Sequence, residues 1–229
     1  MHPKLVITID GPAGAGKTTV SRTLARRLGY RYVDTGALYR AVALAAIRAG
    51  IDAGDEAALA SLCRRLSIRF MPGEDGTRLF LNGEDITGLI RTPRVSMLAS
   101  AVSALSAVRG YLLDIQRVMG EEKEAVFEGR DMGTVVFPDA DVKFYLDADP
   151  RIRAERRHRE IGPSEDLTVD VVERDIRERD RNDMNREVAP LRPAEDAHRI
   201  DSTSLGVEAV VDRMLEIIQN SVHKGARGR

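Results

Sequence analysis

The chain has 229 residues, 43% of them hydrophobic, enough for one sizeable core, or for a core carrying inserted lobes, but short for two independent domains, so one folding unit is expected. A formal net charge of -1 argues against a general binder of nucleic acid or membrane surfaces, which needs surplus positive charge to pair with phosphates. One cysteine, Cys63, allows no internal disulfide and no cysteine metal cluster, and its amphipathic setting, LASLCRRL, reads as a buried structural thiol.

The N-terminal apolar run is too short for a signal peptide, and nothing later approaches a membrane span, so the expected location is the cytoplasm. Leu5 to Ile9 is a β-branched apolar run that ends in a glycine-rich loop, the pattern of a strand buried on both faces. A helix follows from Thr18 to Leu28, stopped by Gly29. Tyr30 to Val33 reads as a second strand and Leu38 to Ala49 as a second helix, a βαβα start that implies a parallel sheet covered by helices.

The middle breaks this rhythm. Ser67 to Met71, Arg78 to Asn82 and Asp85 to Leu89 read as three short strands, with Pro72-Gly73 and Asp75-Gly76 supplying turns. Connections that short cannot be βαβ crossovers, so they imply a small antiparallel lobe, about 66–91, inserted into the α/β core. After Pro93 one long helical stretch is expected to run toward Met119. Ala125 to Phe127 and Val142 to Leu146 return as core strands that lead into Glu128 and Asp147. A basic helix, Arg151 to Ile161, is broken by Gly162-Pro163-Ser164 and followed by a charged helix from Val169 to about Asp183. Ala197 to Asp201 closes the strands and a helix from Gly206 to Ile218 closes the fold, leaving 223–229 as an expected unstructured tail.

Gly11-Pro12-Ala13-Gly14-Ala15-Gly16-Lys17-Thr18, followed by Thr19, fits G-x-x-x-x-G-K-[ST] in full and lies between a predicted strand and a predicted helix. The glycines let the backbone curl its N–H groups inward around a phosphate, and the helix beginning near Lys17 adds its positive dipole end. Lys17 then reaches the β- and γ-oxygens of a nucleoside triphosphate, and the Thr18 hydroxyl is a ligand for the Mg²⁺ that accompanies it. The loop alone leaves the class open among switch GTPases, motor ATPases and kinases. No N-K-x-D-like guanine reader is present, and the inserted lobe favours a kinase that closes over a small acceptor to exclude water.

Two further clusters should stand at the carboxyl edge of the sheet, where open α/β sheets bind ligands. Asp34-Thr35-Gly36-Ala37-Leu38-Tyr39-Arg40 follows the second strand, with Thr35 placed to cap the helix and Arg40 one turn beyond Gly36. Glu128-Gly129-Arg130-Asp131 follows another, and arginine beside carboxylate at a strand end is suited to holding a phosphate and a polar base together. The histidines, His2, His158, His198 and His223, lack ligand spacing, so no bound zinc is expected.

Together GPAGAGKTT, DTGALYRAVAL, EGRDMGTVVFPDADVKFYLDA, RDRNDMNREVAPL and DSTSL closely resemble the bacterial cytidylate kinases over about Val6 to Ile218. The resemblance implies a P-loop kinase of α/β class: a central parallel sheet, an antiparallel insert in a monophosphate-binding region about 35–108, and a helical lid about 151–166, in a single domain spanning 1–222. It implies transfer of a phosphoryl group from ATP to CMP or dCMP, in pyrimidine nucleotide metabolism, by an expected monomer with no nucleic-acid or membrane partner. It puts Thr35 and Asp183 near the cytosine ring, and Arg40, Arg109 and Arg130 around the monophosphate, with Tyr39 packed nearby and Asp131 on the arginine and sugar side. It puts Arg179 near the sugar, Arg186 near sugar and phosphates, and Arg153 and Arg157 on the lid, closing over ATP. Two positions depart from some relatives: Glu128 stands where they have Asp, and Thr18 where they carry glycine.

Overall fold

The computed structural model describes residues 3–73, 76–162 and 167–227, which form two compact units, one from the segments up to Val33 and from Gly120 onward, the other from Asp34 to Met119. In the first, strand β1 (Val6–Asp10) is buried along its whole length, as an apolar β-branched run requires when both faces are covered. Its neighbours are β6 (Ala125–Gly129) and β7 (Val142–Asp147), each parallel to it, and β8 (His198–Asp201) is parallel to β7. With β2 (Arg31–Asp34) beside β6, the sheet order is β2-β6-β1-β7-β8.

That order decides where a ligand can sit. The chain leaves β1 toward one edge of the sheet through helix α1 (Lys17–Leu28), and leaves β7 toward the other, so the carboxyl ends of β1 and β7 flank a topological switch point. Around it, Ile7, Ile9, Leu24, Val126, Phe144, Leu146 and Met214 form a closed apolar core, fixing both strand ends. The charged helices α6 (Pro150–Ile161) and α7 (Val169–Asn185) stand over this edge, and α8 (Val207–Arg227) packs Val210, Val211, Met214 and Ile218 into the core.

The second unit has its own core. Helix α2 (Thr35–Ala49) contributes Leu38, Val42 and Ala46, and helix α3 (Glu56–Cys63) contributes Leu59, Leu62 and the buried Cys63. The expected insert is a three-stranded antiparallel sheet of β3 (Ile68–Gly73), β4 (Gly76–Leu81) and β5 (Glu84–Asp85). Of the turn residues expected between the first two, Asp75 lies outside the described residues, as do Pro163 and Ser164 of the expected break after α6.

Four expectations are corrected. The third short strand shrinks to Glu84–Asp85, because the Asp85 carboxylate turns the chain by accepting the Thr87 amide at 3.0 Å, and Thr87 Oγ1 then accepts from Leu79 N at 2.9 Å in place of a longer ladder. The single helix expected from Pro93 to Met119 is two, α4 (Pro93–Val102) and α5 (Ser106–Gly120), bent by 98°. Ser103 closes the first, its hydroxyl donating to Ser100 O at 2.8 Å, and the bend lets Val95, Ala99 and Val102 share one core with Val108 and Leu112. Helix α2 is capped by Asp34 rather than Thr35: its carboxylate accepts the Ala37 amide at 3.1 Å, and Thr35 is the first helical residue. Finally, α8 continues past Ile218 to Arg227 into the segment expected as a tail, with Ser221 Oγ donating to Ile217 O at 2.9 Å along the way.

Among the described residues no single helix is long and apolar enough to cross a membrane; only the bent pair α4 and α5 passes such a test by length and composition.

Candidate active site

The loop between β1 and α1 is held tightly against β7 and α6. Gly11 and Gly14 have φ of 150° and 73°, and a Cβ on Gly11 would stand 2.0 Å from the Leu146 carbonyl oxygen of β7. A Cβ on Gly14 would stand 2.8 Å from Arg153 O of α6. These close approaches wrap the loop over the start of α1, whose first-turn N–H groups have no helical acceptor and so are available to an anion.

Lys17 is buried, and its ammonium donates to Pro12 O at 2.6 Å, spanning the loop from within. Burial, reinforced by the Arg130 charge, pushes its pKa from 10.5 down to about 7. The cost of holding that charge is what an incoming phosphate would relieve. Thr18 Oγ1 donates to Glu128 Oε1 at 2.8 Å, so the hydroxyl of α1 and the carboxylate ending β6 stand together. Two hard oxygen donors at the mouth of a phosphate loop suit Mg²⁺, which keeps most of its shell for water and phosphate oxygens. Among the described residues no cluster of three His, Cys, Asp or Glu could hold a metal by protein groups alone.

On the far side of β1, Asp10 accepts the amides of Met132 at 2.9 Å and Gly133 at 2.8 Å. Those residues open a π-helical turn, Met132–Val136, directly after Arg130 and Asp131. Asp10 therefore ties the strand that launches the phosphate loop to the segment carrying the second cluster. Burial pushes its pKa up to about 6, partly offset by these two amides.

That second cluster is assembled within the first unit. Arg130 Nε donates to Asp183 Oδ2 at 3.0 Å, and Arg186 lies 3.5 Å from Asp131 Oδ1 and 3.9 Å from Asp183 Oδ1. Arg186 also donates to Ala189 O at 2.6 Å, and Leu191 N donates to Asp183 O at 2.8 Å, so the turn after α7 is folded back onto its last residues. Asp131 and Asp183 are buried and paired with guanidinium groups, an arrangement that can present fixed charge to a phosphate and a fixed acceptor to an amino group. Arg179 belongs to α7, four residues before Asp183 and so on the same face.

In the second unit Arg40 donates to Asp34 Oδ2 at 2.7 Å, folded over Gly36. Arg109 is buried with its guanidinium 5.6 Å from the centre of the Tyr39 ring, and donates to Ser103 O at 3.0 Å. Thr35 is buried at the start of α2.

The two arginines of α6 part company. Arg157 is half exposed and pairs with Glu160 at 3.0 Å. Arg153, expected over ATP, is instead buried: Nε donates to Ala148 O at 2.9 Å, and Nη1 donates to Ala13 O at 2.9 Å and to Asp180 Oδ2 at 2.5 Å. The physical reason is the approach of α6 to Gly14, where an added Cβ would stand 3.1 Å from Arg153 Cβ, together with the three acceptors that hold the guanidinium inward. Its neighbour Arg156 reaches the loop indirectly, donating to Ser202 Oγ at 2.9 Å while Ser202 Oγ stands 3.4 Å from Ala15 O. Sequence reasoning did not single out Asp10, Arg156 or Asp180. Asp10 had a signal in its place next to Gly11; the other two are lost in a helical run of charge where every residue looks solvated.

A family model described as cytidylate kinase matches residues 7–220. A protein named cytidylate kinase from Geobacter sulfurreducens is 50% identical over 216 residues, 94% of this chain and 93% of its own. One of the same name from Pasteurella multocida is 46% identical, covering 96% and 97%. Among solved structures, a gluconokinase from Sinorhizobium meliloti superposes with a TM-score of 0.53 at 14% identity, over 98% of this chain and 97% of its own, a likeness of fold alone. A match that runs unbroken from inside β1 into α8, with half of the residues shared with one relative, carries the loop and both arginine–carboxylate clusters with it: the chain belongs to the cytidylate kinase family.

Proposed function

We propose that this chain transfers the γ-phosphoryl group of ATP to a phosphate oxygen of CMP or dCMP, giving ADP and CDP or dCDP. One observation carries the reading: a complete phosphate loop around buried Lys17, with a separate cluster in which Arg130 and Asp131, just after the neighbouring strand β6, meet Asp183 and Arg186 at the end of α7. Gly11 to Thr19 hold the triphosphate of ATP. Arg40, Arg109 and Arg130 hold the acceptor phosphate, Tyr39 packs against Arg109, and Thr35 and Asp183 read the base. Asp131, Arg179 and Arg186 hold the sugar side.

The acceptor oxygen attacks the γ-phosphorus in line as the bond to the β,γ-bridging oxygen breaks, and ADP leaves. The acceptor phosphate is ionised at neutral pH, so no general base is assigned. Rate comes from positioning and from neutralising charge that spreads over the transferred group, by Lys17, Arg130 and Arg157. Thr18 and Glu128 would hold Mg²⁺ together with the phosphates, and the ion would supply further neutralisation of their oxygens. We place the reaction in the cytoplasm, in pyrimidine nucleotide metabolism, with the chain acting as a monomer.

A coupled assay of ADP release across CMP, dCMP, UMP, AMP, shikimate and gluconate tests the assignment. CMP and dCMP should give at least about tenfold higher kcat/KM than any other acceptor, the discrimination expected of a site that hydrogen-bonds a specific base edge. A preference for another acceptor, or ADP release indifferent to all of them, would refute it.

A further inference from the structure

We propose that Asp180, on α7, is a positioning residue for ATP, acting directly and through Arg153 to fix the two peptide planes flanking Ala13 in the phosphate loop. The inference rests on the proposed use of that loop for ATP. Asp180 Oδ1 accepts the Ala13 amide at 3.1 Å, Arg153 Nη1 donates to the Ala13 carbonyl at 2.9 Å, and the two side chains pair with each other at 2.5 Å. The backbone N–H and C=O of Ala13, which belong to the two peptide planes on either side of its Cα, are thus gripped by one ion pair drawn from two different helices. Arg153 Nε is anchored in turn to Ala148 O at 2.9 Å, just beyond β7. The pair is almost wholly shielded from water, each side chain 6% exposed. An ion pair that dry is a poor source of stability, since desolvation offsets most of the attraction, so its use lies in what it orients.

What it orients is the loop's entry. With the Ala13 N–H and C=O both turned to α6 and α7, neither of the two peptide planes flanking Ala13 can rotate without breaking one of these bonds, and the amides after them are held in the direction set by Gly14 and Gly16, whose φ of 73° and 87° permit the curl. A small apolar contact, Ala13 with Ala154, Val172 and Ile176, packs the same three elements together beside the pair. The geometry therefore links the angle between α6 and α7 to the shape of the triphosphate cradle: helices that shift must either carry Ala13 with them or break the pair.

Asp180→Asn keeps an acceptor for the Ala13 amide but removes the charge, whereas Asp180→Ala removes both. Titration calorimetry of ATP without acceptor, and of CMP without ATP, reads the effect apart from catalysis. Asp180→Ala should raise the ATP Kd by about tenfold while the CMP Kd stays within about twofold, with Asp180→Asn in between, because a loop no longer held in its bound shape must be ordered by the ligand. An unchanged ATP Kd, or equal rises for both ligands, would overturn the proposal. If Asp180→Ala does not fold, Asp180→Asn decides alone: a selective rise of about threefold or more in the ATP Kd supports the clamp, and an unchanged Kd overturns it. Wild-type chain that binds ATP tightly but phosphorylates no CMP would defeat the proposed reaction and leave the clamp standing; wild-type chain that binds no ATP would overturn both.

Discussion

Lys17 shows how one side chain can hold a fold and a reaction in tension. Its charged form is disfavoured by burial and by Arg130, so between about pH 7 and its ordinary value of 10.5 the unfolded chain binds more protons at this group than the folded one does. The sign follows: this group's penalty to stability is full below about pH 7 and fades as pH rises toward 10.5. A bound triphosphate reverses the local field and restores the proton. At pH 8, ATP binding should therefore take up a fraction of a proton and weaken as pH rises, measured by calorimetry in buffers of different ionisation enthalpy. Lys17→Met should abolish the uptake, and buffer-independent heats for the wild-type chain would contradict this. In turnover, Lys17→Ala should lower kcat by about 10²-fold or more, the scale of a single well-placed electrostatic contribution. A kcat near the wild-type value would remove Lys17 from the transition state.

Among elements, the union of β1, the phosphate loop and β7 is the least tolerant of change. A Cβ on Gly11 would meet the Leu146 carbonyl at 2.0 Å on a backbone with φ of 150°, so the strand and the loop would have to separate. Gly11→Ala should cost about 3 kcal/mol, combining backbone strain with overpacking. Urea denaturation reads this directly, and a loss under about 1 kcal/mol would show that the loop can move off β7. What was legible in the sequence follows the same line. Buried strands such as Val6–Asp10 and Val142–Asp147 announce themselves by short runs dominated by apolar residues, interrupted only by Thr8 and Lys143 before their closing aspartates, and the loop by its glycines. The bend between α4 and α5 was hidden because its Ala-, Ser- and Val-rich sequence satisfies a helix on either side, and only the shared core decides that the chain must turn. The same limit applies at the site. Arg153 and Arg157 are four residues apart and look equivalent on a helix, yet the approach of Gly14 buries one while the other pairs with Glu160 in solvent.

For the molecule as a whole, the order of strand-like and helix-like runs anticipates an α/β core with an antiparallel insert, whereas length and composition, which imply one folding unit, give no sign of the two compact units with separate apolar cores. Neither composition nor core says what reaction is run. That rests on the pairing of a triphosphate loop with arginine–carboxylate clusters on other elements, in a chain that belongs to the cytidylate kinase family. Phosphorus NMR of the chain with ATP, Mg²⁺ and CMP tests this pairing most directly, because it follows every phosphate at once. One CDP should appear for each ADP, with no orthophosphate and no ATP loss when CMP is left out. Orthophosphate released in step with ADP, whether or not CMP is present, would contradict the account.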